Sequence, residues 1–160
     1  MKNKQKRLGF TLIELLVVIS IIGILSTLAV VSLNNARLKA RDTKRVADIR
    51  QLQTALELYV SDKNGYPSAN DLTLGAGAGS SLSKDGGFAA VVNGTVYMGK
   101  VPANPLPGGA DFKYTSYTNS TAASVCNTGP CPWFEITFTL EEQTGGLSQG
   151  AHTADPTGVN

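Results

Sequence analysis

From Leu8 to Ala36 the only charged residue is Glu14. The apolar positions run as Leu15-Leu16-Val17-Val18-Ile19, Ile21-Ile22-Gly23-Ile24-Leu25 and Leu28-Ala29-Val30-Val31. Leu15 to Leu33 is about 19 residues, roughly 28 Å as a helix, close to the thickness of a bilayer's hydrocarbon core. The pattern then changes without a break. Val46, Ile49, Leu52, Leu56 and Tyr59 recur at spacings of 3, 3, 4 and 3, which is one helical face. No Pro or Gly falls between Asn34 and Asp62. The pattern predicts one helix from about Thr11 to about Asp62, roughly 75 Å long. Asn64-Gly65 supplies a left-handed stop, and Pro67 prevents resumption.

Beyond the helix the period shortens to two. Phe134, Ile136, Phe138 and Leu140 alternate with Glu135, Thr137 and Thr139, so Trp133–Leu140 reads as a strand with one buried and one wet face. The aromatic, Thr-rich Phe112–Thr118 is a second strand. Two short apolar patches, 88–92 and 96–98, flank Asn93-Gly94 and suggest a hairpin, with a short helix for the first patch as the alternative. Pro102, Pro105 and Pro107 make 101–109 an extended linker. Residues 75–81 (GAGAGSS) form a low-complexity, flexible surface loop; no Gly-Lys-Ser/Thr follows, so it is no phosphate loop. Residues 145–160 read as a flexible Gly/Thr/Ser-rich tail. The class is α+β: a long N-terminal helix whose C-terminal half carries a small antiparallel sheet.

Composition adds exclusions. The 160 residues suit one domain. Low aromatic content with 17 Gly and 7 Pro argues against a large enzyme core, and one His and two Cys leave little for metal or acid–base chemistry. No catalytic site is expected. The net charge of +2 hides a segregation: residues 1–62 hold ten basic and five acidic side chains, residues 63–160 four and seven. Arg37–Arg50 alone has six basic and two acidic residues. Lying beside an apolar span and mixed with acids, these charges suit lipid head groups or intersubunit ion pairs better than nucleic acid. Lys44 and Asp48 stand at i, i+4 and can pair weakly.

A basic start followed by an apolar run also describes a secretory signal peptide or a simple membrane anchor. The run passes into Asn34-Asn35-Ala36-Arg37, a poor signal-peptidase site, and positive charge on both flanks leaves the orientation open. Glu14 distinguishes the readings. A carboxylate in an apolar span costs up to about 3 kcal/mol at the bilayer centre, and a simple anchor has no use for it.

Lys6-Arg7-Leu8-Gly9-Phe10-Thr11-Leu12-Ile13-Glu14-Leu15-Leu16-Val17-Val18-Ile19 resembles the class III signal of type IV prepilins and type II secretion pseudopilins. The helix end, Ala55–Tyr59 through Asn64-Gly65-Tyr66-Pro67, is also similar to pseudopilins. The resemblance implies a pilin fold, with leader 1–9, a transmembrane and assembly helix 10–33, its amphipathic half 34–62 and a head 63–160. It implies cleavage between Gly9 and Phe10 by a prepilin peptidase, and N-methylation of Phe10 by the same enzyme. Glu14, fifth from Phe10, would meet the new amine of a neighbouring subunit and set the register. Pairing the two charges removes the penalty each suffers alone in an apolar core. Implied partners are further copies in a helical filament, membrane lipid before assembly, and an inner-membrane assembly platform with its ATPase. The leader would face the cytoplasm and the filament would lie outside the cytoplasmic membrane, at the cell surface or in the periplasm. Many type IV pilins carry Pro where this chain has Val31, so the resemblance gives no ground for a melted helix there.

Cys126 and Cys131 are too few for a zinc site and wrongly spaced for a redox pair, so in an exported protein a disulfide is expected. Major pseudopilins often hold calcium in a C-terminal loop rich in Asp. The candidates here are weak: Glu141, Glu142 and Asp155, with Asp111 more distant. His152 is alone and reads as solvent-exposed. Two rival functions remain at this level: a membrane-anchored binding module that does not polymerise, and a minor pilin that takes up DNA.

Overall fold

A computed structural model describes residues 9–160, so the leader expected at 1–9 lies outside the described residues except for Gly9. The chain divides into two compact units, Met1–Arg37 and Leu38–Asn160. Helix α1, Leu12–Lys63, contributes to both and has no break at Val31. In the first unit the large apolar side chains of α1 are all exposed, from Leu12 to Leu33. Its most apolar window has a mean hydropathy of 2.7 with none of it buried, long and apolar enough to cross a membrane. Two polar side chains inside this stretch bond to their own backbone, Ser20 Oγ to Leu16 O and Thr27 Oγ1 to Ile24 O, both at 2.8 Å. Such local bonds keep hydroxyls satisfied where no water is available.

In the second unit α1 buries Val46, Ile49, Leu52, Ala55 and Leu56, with Tyr59 half-buried behind them. The predicted stripe is therefore the core face. Asn64 ends the helix in the left-handed conformation (φ 57°), its N–H bonded to Val60 O. Gly65 is needed for a close approach, because a Cβ there would stand 2.6 Å from Pro130 Cβ. Tyr66 pairs with Cys131 as an isolated bridge, and a disulfide joins Cys131 to Cys126.

The main sheet is antiparallel, in the order β1-β5-β6-β7-β8: β1 Leu72–Thr73, β5 Lys113–Tyr117, β6 Trp133–Leu140, β7 Gly150–Asp155, β8 Gly158–Val159. β6 has the range its alternation predicts, and Phe134, Ile136, Phe138 and Leu140 are buried against α1's stripe in one core. The expected flexible tail is a correction. β7 pairs with β6 from Ala154↔Ile136 to Gly150↔Leu140, and Ala154 is buried. Backbone pairing to a strong strand makes a strand of a sequence with little apolar content of its own.

The small sheet has the order β3-β2-β4, from β2 Ser81–Ser83, β3 Gly87–Ala89 and β4 Val96–Met98. The hairpin expected about Asn93-Gly94 does not form, since β3 and β4 pair on opposite edges of β2 rather than with each other. Leu82, fully buried, anchors the middle strand. The GAGAGSS stretch therefore ends in a strand, and Leu74 before it is buried.

Candidate assembly site and the charged cluster of the head

The start of α1 is a reciprocal cap. Thr11 N–H and Thr11 Oγ1 both donate to Glu14 Oε2, at 2.8 and 2.7 Å, and Glu14 N–H donates to Thr11 Oγ1 at 3.3 Å. This is the capping box, in which a Thr at the N-cap and a Glu three residues on satisfy free donors of the first turn. Its signal, Thr-x-x-Glu ahead of an apolar run, is present in the sequence, so Glu14 stands out both by its charge and by this motif. Both bonds to the carboxylate fall on Oε2; among the described residues no hydrogen bond reaches Oε1. The box needs nothing before Thr11, so a chain beginning at Phe10 retains it. Phe10 is 84% exposed, and Ile13, Val17 and Val18 present apolar surface beside Glu14. A single copy thus shows a fixed carboxylate in an apolar, unburied setting.

The second cluster lies in the head. The charged residues of Arg37–Arg50 suit head groups or intersubunit ion pairs by sequence, yet three of them are buried in the head: Asp42 and Arg45 completely, and Asp48. Arg45 donates to Asp42 Oδ1 (2.5 Å), Glu141 Oε1 (2.6 Å) and Asn104 Oδ1 (2.7 Å), and to the carbonyls of Pro105 (3.0 Å) and Gly108 (2.6 Å). Arg41 binds Glu141 through two nitrogens, at 2.9 and 2.7 Å. Asp42 also accepts the N–H groups of Glu141 and Glu142, at 3.1 and 2.7 Å. Helical spacing places 41, 42 and 45 on neighbouring positions of one face, and the end of β6 delivers Glu141 to them. The 101–109 stretch, expected as a linker, wraps this cation. Lys44 and Asp48 form no ion pair among the described residues; Asp48 is buried with Oδ2 unpartnered, and burial raises its pKa.

The hydrogen bonds from Arg41, with those from Arg45, hold the Glu141 carboxyl at about 2 against its ordinary 4.5. A carboxyl depressed in the folded state adds stability above its unfolded pKa and loses it as pH falls through the folded one. The melting temperature of the detergent-solubilised chain should therefore drop between about pH 4.5 and pH 2. Glu141→Gln, followed by circular dichroism, should flatten that limb; an unchanged slope would contradict the assignment.

The calcium candidates do not fit a metal. Both oxygens of Glu141 are engaged by arginines. Asp155 accepts from Thr157 N–H and Oγ1, at the opposite end of β7 from Gly150, which pairs with Leu140 next to Glu141. Among the described residues no group of three or more His, Cys, Asp or Glu is placed to hold a metal ion. His152, expected to be exposed, is half-buried: its ring lies tilted at 33° to that of Phe138, and its nitrogens meet the carbonyls of Ser148 and Asn160.

A family model described as the prokaryotic N-terminal methylation motif matches residues 4–30. The chain is 34% identical to the type II secretion system core protein G of Escherichia coli (strain K12), over 81% of this chain and 86% of that protein. The protein of the same name from Vibrio cholerae serotype O1 is 32% identical over 94% and 92%. The chain belongs to this pseudopilin family. The Aeromonas hydrophila member is 46% identical over 66 residues, 41% of this chain and 46% of that protein. No solved structure matches the chain significantly. Family membership and the fold make this chain a structural subunit of the pilus–pseudopilus class.

Proposed function

We propose that the chain is a pseudopilus subunit of a type II secretion system, made as a precursor and polymerised through α1. Residues 1–9 are the leader, 10–33 the membrane and assembly helix, 34–62 its amphipathic half and 63–160 the head. A prepilin peptidase cuts between Gly9 and Phe10 and methylates the Phe10 amine. The leader faces the cytoplasm, the uncut helix sits in cytoplasmic-membrane lipid, and a platform with its ATPase moves the subunit into an extracytoplasmic filament. The role is structural, without a reaction of its own.

The observation that carries this reading is Glu14, fixed by Thr11 four residues behind Phe10, at the head of the apolar stretch of α1, where Leu12 to Leu33 are exposed. In lipid that carboxylate is unpaired. Beside the ammonium of a neighbour's Phe10 it is neutralised, and a subunit out of register leaves it alone again. The names of the relatives favour a secretion pseudopilus over a surface pilus. DNA uptake is disfavoured, because Arg41 and Arg45 of the basic stretch are engaged within the head.

Mass spectrometry of the N-terminal peptide from filaments tests the processing. It should begin at Phe10 and be one methyl group heavier than the unmodified peptide. A peptide that retains Gly9 would overturn the reading.

A further inference from the structure

Five oxygens converge on a buried cation in the head: Asp42 Oδ1, Glu141 Oε1, Asn104 Oδ1 and the carbonyls of Pro105 and Gly108. Two carboxylates, a side-chain amide and two backbone carbonyls are the donor class that calcium takes. Here the cation is a guanidinium, covalently part of the chain and completely buried. We infer that Arg45 occupies the place of a structural metal, so that this head closes without a divalent cation.

The surroundings are shaped for the guanidinium. Asn104 Nδ2 donates to the carbonyls of Gly108 and Gly109, which fixes the loop in its wrap. Gly109 has φ +73°, and a Cβ there would come within 3.0 Å of Arg45 Nη2. Gly108 has φ +93°, and its Cβ would lie 2.6 Å from Glu141 Oε2. Left-handed backbone in direct contact with the ion pair requires glycine at both positions. Arg41 and the N–H groups of Glu141 and Glu142 hold the two carboxylates in place. A planar fork with donors on three nitrogens matches oxygens spread around a plane, a set that lysine cannot satisfy. The cation joins α1, the 104–109 loop and the segment that follows β6, three parts of the head distant in sequence. Nothing in this cluster waits on the calcium level outside the cell.

The test uses the full chain in detergent micelles. Melting curves are recorded in excess EDTA and in millimolar calcium chloride. A structural calcium at a hundred times its Kd would raise the melting temperature by roughly 5–10 °C. The wild-type chain should melt at the same temperature in both solutions, and a calcium-dependent rise of that size would overturn the inference. Arg45→Met should melt on the order of 10 °C lower in both solutions, since it leaves the buried Asp42 without its cation and Glu141 with Arg41 alone. A variant that melts with the wild type would also overturn it. Should Arg45→Met fail to fold, Arg45→Lys keeps the charge but loses the fork, and should show a smaller fall in the same direction. Equality of Arg45→Lys with wild type would remove the claim that the guanidinium geometry matters.

Discussion

Glu14→Gln is expected to abolish filament formation while leaving the helix cap in place. The glutamine oxygen can accept the same two bonds from Thr11 N–H and Oγ1 that the carboxylate accepts. What it lacks is the charge that would meet the Phe10 ammonium of a neighbour. Removing one partner of a pair in an apolar setting costs about 3–5 kcal/mol, roughly two to four orders of magnitude in the affinity of each addition step. Glu14→Ala loses the charge and the cap, and the cap is worth only about 1 kcal/mol. The two variants should therefore fail alike. Filament yield, read by shearing and electron microscopy with membrane insertion of the subunit as control, separates the two roles. If Glu14→Gln assembles as wild type and Glu14→Ala does not, the residue acts as a cap and the pairing account is wrong.

The second large effect lies in the head. Phe134→Ala should destabilise it by about 3–5 kcal/mol, a fall in melting temperature of roughly 10–20 °C. The ring is fully buried, edge-on to Tyr66 at 4.6 Å and stacked with Tyr114 at 5.8 Å. Tyr66 and Tyr114 are themselves held by bonds to Glu57 and to Pro67 O, so neither is free to fill the vacancy. Thr137, on the other face of the same strand, is exposed, and Thr137→Ala should stay within about 0.5 kcal/mol. Thermal denaturation of the two variants side by side checks the predicted faces of β6. Comparable losses would mean that the strand is not one-sided.

These two predictions rest on parts of the chain that periodicity makes legible. Strong alternation in Trp133–Leu140 and the 3-3-4-3 stripe of α1 each have one physical solution, and the structure adopts it. The weaker elements were not legible, for identifiable reasons. Ser81-Leu82-Ser83 has a single apolar side chain, so its place between β3 and β4 shows only in three dimensions. Gly150–Asp155 becomes a strand because β6 offers it an edge. Arg45 is the largest case. A charged residue in a basic stretch beside an apolar span reads as meeting head groups or a neighbouring subunit, and only the return of Glu141 and the 104–109 loop from far along the chain makes burial affordable. Glu14 was the reverse. Its oddity among apolar residues singled it out, while its local bond to Thr11 was present as a motif and needed the geometry to be seen as a cap.

The central claim is that subunits join through the charge pair at the start of α1. A reconstruction of the isolated filament at side-chain resolution measures this directly. The account predicts the Phe10 nitrogen of one subunit within ion-pair distance of Glu14 in its neighbour, with the α1 helices packed together at the centre. A Phe10 amine left in solvent, with Glu14 bonded only to its own Thr11, would contradict it.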